Sequence, residues 1–240
     1  IGREAFAVCT GLTQVTIGNS VQTIGLFAFN GCTSLTQVTI PNSVQTIGRY
    51  AFLECTSLTE IIVDTENTNY SSLEGVLFNK AKTELVQYPI GNAINTYTIP
   101  NSVITIGRNA FVGCTTLKQV TIGNSVKTIG QEAFDGCTSL TQVTIPNSVQ
   151  TIEAGAFIEC TGLASVIFDN TTITSISSGV FNNCPAVIEP TNFVVANALL
   201  EISFEGNNGA FSNKGTAVGP LQFGADDSGG DGFKTVTVAP

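Results

Sequence analysis

Short stretches in which apolar and polar residues alternate recur along the chain, and residues 140–145 show the pattern clearly. In Leu140-Thr-Gln-Val143-Thr-Ile145, the apolar side chains of Val143 and Ile145 fall on one face of an extended segment. Alternation with a period of two predicts a short strand with that face buried. Pro146-Asn147-Ser148 then predicts a turn, because proline ends strand pairing while Asn and Ser bond to nearby backbone.

The residues after this turn predict a second extended segment and a compact corner. Val149 and Ile152 are expected to point inward, and Ala156-Phe157 is expected to form a tight turn, one turn of 3₁₀ or α-helix, with Phe157 as the large filler. Cys160 and Leu163 return the chain to the next strand. These elements together make one supersecondary unit.

The unit repeats with a fixed period, which the cysteines mark. The gaps between successive cysteines are 23, 23, 59, 23, 23 and 24 residues. Such a period is typical of repeat proteins, in which each unit stacks on the next around a continuous core. Stacking predicts a parallel sheet whose strands are covered by their neighbours, so that only the two ends of the stack stay open. The predicted core column is Cys9, Cys32, Cys55, Cys114, Cys137, Cys160 and Cys184.

Alignment on the cysteines predicts a solenoid over residues 1–193 and a different segment over 194–240. The 59-residue gap holds one regular unit and an expanded one, Asp64–Ile99, in which Val76-Leu-Phe78 and Leu85-Val86 predict the strands of an added hairpin. A degenerate unit covers Asp169–Phe193. The clean units are Gly18–Ile40, Pro41–Val63, Pro100–Ile122, Gly123–Ile145 and Pro146–Phe168, after a partial unit Ile1–Ile17.

The string L-x-x-V-x-I-P-N-S-V-x-T-I-G-x-x-A-F-x-x-C, present in five near-identical copies, resembles the bacterial BspA-type (Treponema-like) leucine-rich repeat. The expanded unit, with Asn69–Lys80 and Leu85–Pro89, is similar to a longer variant repeat of that family. The resemblance implies a mainly β solenoid of about 23-residue units, with a curved, concave parallel sheet and short extended or 3₁₀ segments on the convex side. It also implies a surface or secreted protein, since several members of the family act as adhesins for host matrix proteins or other cells.

Residues 194–240 differ in composition, with no cysteine and with eight glycines between Gly206 and Gly232. Apolar residues alternate with polar ones at Leu200, Ile202 and Phe204, and again at Val236 and Val238. Two strands and a flexible middle are predicted, forming a β-rich cap over the last unit or a junction to a further domain.

The acidic composition of the chain argues against two classes of partner. Only 11% of residues are charged, and nine Lys plus Arg against eighteen Asp plus Glu give a net charge of −9. An acidic chain repels phosphate backbones and anionic lipid, so we expect neither nucleic acid nor a membrane surface as partner. The most apolar run, Phe193–Leu200, is too short and too interrupted to cross a bilayer.

The cysteines and acids do not form a recognisable reaction centre. Without histidine or a C-x-x-C pair, the chain has neither a Ser-His or Cys-His dyad nor zinc-ligand spacing. We expect buried, reduced thiols, because parallel side chains disfavour the disulfide dihedral and the odd count leaves one over. Glu54, Glu132, Asp135, Glu153 and Glu159 lie near the corner and are expected to face solvent. We therefore expect no enzyme and no cofactor.

One weak metal candidate is the oxygen-rich run at residues 226–232, with Asp226, Asp227 and Asp231 as possible calcium ligands. The run lacks the order of residues of an EF-hand and its terminal Glu, so an acidic loop is the favoured interpretation.

The outward positions of the predicted sheet are broad and almost uncharged, and we call this surface the Gln/Thr face. Thr also suits half-exposed strands for reasons of β-propensity alone. Paired donors and acceptors over a wide area suit protein or glycan contact, whereas the interleaved Gln column argues against an ice-binding surface. The predicted ligand-binding residues are Gln14, Thr16, Gln37, Thr39, Thr96, Thr98, Gln119, Thr121, Gln142 and Thr144.

Two functions follow as hypotheses. The first is an adhesin-like binding module, outside the cell or on its surface, for a matrix or cell-surface protein or a glycan; seven free thiols weakly oppose that location. The second is a structural subunit of an extracellular filament or coat, assembled end to end through the uncovered unit that carries Val15 and Ile17.

Overall fold

The computed structural model describes residues 1–169, 173–177 and 179–184, together with the backbone of three strands at 203–205, 221–223 and 233–238. The first part is a solenoid of about seven stacked coils, each coil being one repeat unit, and its described residues contain strands and turns but no helix. In chain order the strands of the solenoid are β1 (Thr23–Ile24), β2 (Gln37–Ile40), β3 (Thr46–Ile47), β4 (Glu60–Val63), β5 (Tyr70–Leu73), β6 (Val76–Asn79), β7 (Glu84–Gln87), β8 (Thr96–Thr98), β9 (Thr105–Ile106), β10 (Gln119–Thr121), β11 (Thr128–Ile129), β12 (Gln142–Ile145), β13 (Thr151–Ile152), β14 (Ser165–Phe168) and β15 (Ser175–Ile176).

Two parallel sheets run along the solenoid, because each regular coil contributes one strand to each. The strand with the Gln-Val-Thr-Ile pattern enters the first sheet, ordered β14-β12-β10-β8 with β2-β4 as a separate pair. The Thr-Ile strand enters the second, ordered β15-β13-β11-β9-β7-β6-β5, with β1-β3 separate. The predicted alternation holds in β12, where Val143 and Ile145 are buried and Gln142 is exposed.

The corner around each Ala-Phe pair is a turn stabilised by the next coil, rather than the 3₁₀ or α-helical turn allowed from the sequence. Alternate N–H groups bond in two directions: that of Ala133 donates to Gly130 C=O in its own coil (3.2 Å), whereas that of Phe134 donates to Ala156 C=O in the next coil (2.7 Å). Bonding to the next coil removes every second donor from a helical pattern.

Two residues in each of these corners adopt the left-handed conformation. They lie five positions and one position before the cysteine, as Glu132 (φ 55°) and Gly136 (φ 67°) do before Cys137. The residue type varies between coils although the conformation does not. The pairs are Glu4 and Val8, Phe27 and Gly31, Tyr50 and Glu54, Asn109 and Gly113, Glu132 and Gly136, Gly155 and Glu159, and Gly179 and Asn183.

The core is a ladder of equivalent side chains, with Phe rings stacked from coil to coil. The ring of Phe134 lies 4.7 Å from that of Phe111 and 5.0 Å from that of Phe157. The ladder is interrupted at the expanded unit, and the buried residues accordingly divide into two clusters, one centred on residues 17–77 and one on residues 76–184. Burial of apolar surface on both sides of the interruption stabilises the stack.

The expanded unit forms the predicted hairpin and extends it by one strand. β6 pairs antiparallel with β7 and with β5, and β7 continues the second sheet by pairing parallel with β9. The insertion has a consequence that the repeat pattern did not predict: β4 and β8 do not pair, so the first sheet is open within the solenoid as well as at its ends.

The three strands of the C-terminal segment, β16 (Ser203–Glu205), β17 (Leu221–Phe223) and β18 (Phe233–Val238), form an antiparallel sheet in the order β16-β18-β17. β16 and β18 lie where alternation predicted strands, whereas β17 lies in the stretch that we expected to be flexible.

Candidate functional site

The Gln/Thr face is the outer surface of the first sheet. Nine of its ten predicted residues are exposed, and Thr144 is half-buried. Parallel pairing of β8, β10 and β12 aligns six of these residues in two columns. One column runs through Thr96, Gln119 and Gln142, and the other runs through Thr98, Thr121 and Thr144. The spacing of about 4.8 Å between paired strands sets the spacing of the side chains in each column.

The side-chain amides and hydroxyls of this face have no hydrogen-bond partner in the part of the chain that the structure describes. Each amide or hydroxyl keeps its full capacity to donate and accept. Between β10 and β12 the surface forms a shallow depression, lined by Gln119, Thr121, Asn124, Gln142, Thr144 and Asp169. A face of this kind offers area and hydrogen bonds, not an enclosed pocket.

The face is less uniform than the sequence suggested. Gln14 and Thr16 are exposed but lie outside any strand, and Val15 beside them is half-buried. Gln37 and Thr39 lie on β2, whose partner β4 carries the half-buried Glu60 and Ile62. The regular part of the face therefore lies on β8, β10 and β12, because the next strand, β14, carries the half-buried Ser165 and Ile167 at the same positions.

A second polar group, on the corner side, involves an acid that we expected to face solvent. Glu132 Oε2 accepts hydrogen bonds from the Tyr50 hydroxyl (2.8 Å) and the Asn109 side-chain amide (3.0 Å). Arg108 forms an ion pair with the same oxygen at 3.5 Å, and the Gln131 side-chain amide donates to Oε1 at 3.1 Å. Burial opposes ionisation of Glu132, but the hydrogen bonds from Asn109 and Tyr50 and the charge of Arg108 together lower its pKa.

The corner acids respond differently to their surroundings. Asp135 is half-buried, and burial together with the charges of Glu159 and Glu132 raises its pKa to about 6. Glu54 and Glu159 are exposed as expected, whereas Glu153 is half-buried and accepts a hydrogen bond from Gln131 N–H at 2.9 Å. Glu132 and Glu153 thus accept hydrogen bonds at a corner, whereas the charge of Asp135 is unfavourable there. None of the corner acids lies on the Gln/Thr face.

The cysteine column has a bonding role as well as a packing role. All seven cysteines are free thiols, and six are buried. The thiol of Cys160, for example, donates to Phe134 C=O of the preceding coil at 3.1 Å, and the same carbonyl accepts the N–H of Cys137. Burial and the neighbouring Cys32 raise the pKa of Cys55 to about 12, which keeps this thiol protonated.

Cys9 differs from the predicted column because it is exposed. In the described chain no coil lies against its outer side, so nothing covers the sulfur. The exposure of Phe6 and Val8 in the same coil has the same cause.

A metal site and a membrane-spanning helix each have structural requirements that the described residues do not meet. Among the described residues no three His, Cys, Asp or Glu side chains are grouped so that they could hold a metal ion. Asp226, Asp227 and Asp231 lie outside the described residues. No helix in the described part is long and apolar enough to cross a membrane.

Comparison with known proteins agrees with the geometry. Six copies of the BspA type leucine rich repeat region match residues 1–97 and 91–214. A pneumococcal vaccine antigen, PcpA, has a similar structure with a TM-score of 0.64 and 27% identity, over 70% of this chain and 47% of that one. A leucine-rich repeat protein from Eubacterium ventriosum has a TM-score of 0.59 and 24% identity, over 77% of this chain and 62% of the other.

A leucine-rich cell surface protein from Faecalibacterium prausnitzii shares the fold with a TM-score of 0.56 and 23% identity, over 80% of this chain and 68% of its own length. The chain thus spans about half the length of the pneumococcal protein. No curated protein matches it. The repeat match covers most of the residues, and this chain belongs to the BspA-type leucine-rich repeat family.

Proposed function

We propose that this chain is an adhesin-like interaction module, outside the cell or on its surface, that binds protein or glycan partners through the Gln/Thr face. The observation that carries the proposal is the pair of exposed columns across β8, β10 and β12, whose polar groups have no partner in the described chain. Support for the location comes from the similarity to a pneumococcal vaccine antigen.

The chemistry of the face suits a broad partner. Polar side chains without formal charge cost less to desolvate than ions, and each can exchange a water for a hydrogen bond with the partner. Because the depression on the Gln/Thr face is shallow in the part of the chain that the structure describes, specificity must come from many contacts spread over several coils. Catalysis is not part of the proposal, since the chain has no histidine and the repeat fold is typically an interaction scaffold.

A paired charge substitution tests this assignment. Thr121→Lys with Thr144→Lys places two cations in adjacent rows of the face, 23 residues apart in sequence. The matched control is Thr138→Lys with Thr161→Lys, which changes net charge equally at two threonines outside the face; Thr138 and Thr161 are both exposed.

Binding is measured on an array of matrix proteins and glycans with the full chain. We expect the face variant to lose about tenfold or more in affinity for whatever the wild type binds, and the control to retain it. Equal binding by the face variant and the control would contradict the assigned surface.

End-to-end assembly stays a prediction. Sedimentation of the purified chain over a concentration series checks it, and a monomer at the highest concentration would argue against a filament subunit.

A further inference from the structure

The break in the first sheet lies between β4 and β8. In a regular coil these two strands would pair, but the tip of the β5–β6 hairpin takes the place of β8 beside β4. The N–H of Ile61 donates to Gly75 C=O at 2.8 Å, and the N–H of Val63 donates to the Ser72 hydroxyl at 3.0 Å. The hairpin thereby covers β4 and leaves β8 without its usual neighbour.

The direction of the backbone groups on β8 follows from its pairing with β10. Gln119 N–H donates to Asn95 C=O at 3.0 Å, and Ile99 N–H donates to Thr121 C=O at 2.9 Å. Residues 95, 97 and 99 therefore point their backbone groups at β10, and Thr96 and Thr98 point theirs away from it.

The edge of β8 at Thr96 and Thr98 is open. Their counterparts on β10, Gln119 and Thr121, bond to the preceding coil, whereas β8 pairs with β10 alone. In the part of the chain that the structure describes, the N–H and C=O groups of Thr96 and Thr98 have no partner, and both residues are exposed. An uncovered row of this kind is a template for another strand.

We propose that this edge binds an extended peptide segment of a partner protein by strand addition, with a basic side chain of the segment facing Glu60 and Glu74. The inference rests on the proposed function, because β8 belongs to the Gln/Thr face, and it adds a binding mode and a class of partner. Strand addition uses main-chain bonds for affinity and neighbouring side chains for specificity.

The surroundings of the edge favour a basic and partly apolar segment. Gly75 (φ 77°) brings the hairpin tip against β4, where a methyl group on Gly75 would lie 2.8 Å from Glu60 Cβ. Glu74 is exposed beside it, and it contributes, after burial and Tyr88, to the raised pKa of Tyr97 on β8. Leu73, the last residue of β5 before the hairpin tip, and Ile94, two residues before β8, are exposed by 38% and 57% and offer apolar surface to the segment.

Proline at position 98 is the sharpest test, because it removes an outward donor without touching the β8–β10 ladder. Thr98→Pro deletes the unbonded N–H and places the proline ring on the open edge, and edge strands tolerate proline there. The matched control is Thr98→Val, which changes the side chain and keeps the N–H. Retained hydrogen-exchange protection of Tyr97 and Ile99 shows that the proline variant keeps the strand.

The probe is an acetylated and amidated peptide with the alternating sequence Lys-Thr-Val-Thr-Val-Lys, titrated into the full chain and followed by NMR. We expect the Thr96 and Thr98 amides to exchange rapidly in the free protein and to become protected when the peptide is added. We also expect the affinity of Thr98→Pro to be about tenfold or more below that of Thr98→Val, and a peptide with Glu in place of Lys to bind more weakly than the lysine peptide.

Four outcomes would overturn the proposal, three in the peptide titration and one in the array. The Thr96 and Thr98 amides could be protected without peptide, the proline and valine variants could bind the peptide equally, or protection could rise with protein concentration alone, which would identify a second copy of the chain as the occupant. If the proline variant does not fold, the exchange of the Thr96 and Thr98 amides in the wild type, with and without peptide, still tests whether the peptide binds at this edge. Loss of array binding in Thr121→Lys with Thr144→Lys, together with equal array binding by Thr98→Pro and Thr98→Val, would uphold the face and reject the edge.

Discussion

The left-handed corner residues lead to a quantitative prediction about backbone strain. Glu159 adopts φ 58°, whereas Gly113 and Gly136 occupy the same position in two earlier coils. A residue with a Cβ pays about 1–2 kcal/mol in this region relative to glycine. Glycine also has more conformational freedom in the unfolded chain, which lowers the free energy of unfolding by about 0.4–1 kcal/mol relative to alanine. Glu159→Gly should therefore be more stable than Glu159→Ala by about 1 kcal/mol.

The alanine variant is the reference because both variants remove the charge of Glu159. That charge helps to raise the pKa of Asp135, so the wild type is an unsuitable comparison. Urea unfolding at one pH, with equal slopes required for the two variants, measures the difference in the free energy of unfolding. For a chain of this length, 1 kcal/mol corresponds to a shift in Tm of about 2–4 °C.

Gly136→Ala is the reverse substitution. Gly136 has φ 67°, and a Cβ built there would lie no closer than 3.8 Å to any neighbouring atom, so the backbone conformation alone sets the cost. We expect a loss of about 1 kcal/mol. A neutral Gly136→Ala, or a Glu159→Gly no more stable than Glu159→Ala, would refute the strain argument.

Three further predictions concern the core, the corner acids and the thiols. Phe134→Ala should cost about 3–5 kcal/mol in urea unfolding, because the ring is fully buried between two stacked rings, and Phe134→Leu should cost less. The pKa of Asp135 is raised from 3.8 to about 6, so the ionised side chain destabilises the fold at pH 7 and its protonation restores stability as the pH falls through 6. Asp135→Asn should therefore increase the free energy of unfolding by about 1 kcal/mol at pH 7, after solvent screening, and leave it unchanged at pH 3. An equal effect at both pH values would contradict this. A maleimide should label one thiol rapidly in the native chain and seven after denaturation, and Cys9→Ser should abolish the rapid phase; rapid labelling of further thiols would contradict their burial.

Much of the fold could be predicted because its determinants are local and repeated. Alternation in each 23-residue unit identified the strands, as at Val143 and Ile145, and the expanded unit was long enough for a hairpin with Val76–Phe78 as a strand. Periodicity then implied stacking, because a single unit cannot bury its own apolar face. The side chains of the Gln/Thr face followed from the same alternation.

The corner conformation and the polar group around Glu132 could not be predicted in this way. Glu159 and Val8 occupy a left-handed position that their side chains do not favour, because the bonds to neighbouring coils determine the backbone there. Tyr50 meets Glu132 across 82 residues, a contact that depends on how the coils on either side of the hairpin are placed.

The amino-acid sequence by itself determined the repeat, the buried ladder and the outward polar columns, since each depends on the period of apolar residues along the chain. Only the tertiary structure decided where the sheet is interrupted. Whether β8 pairs with β4 depends on which acceptors lie beside the N–H groups of Ile61 and Val63, and the hairpin supplies the Gly75 carbonyl and the Ser72 hydroxyl there. The repeat implied pairing between successive coils, but whether an inserted hairpin takes the place of a strand depends on three-dimensional neighbours, and no local pattern encodes it.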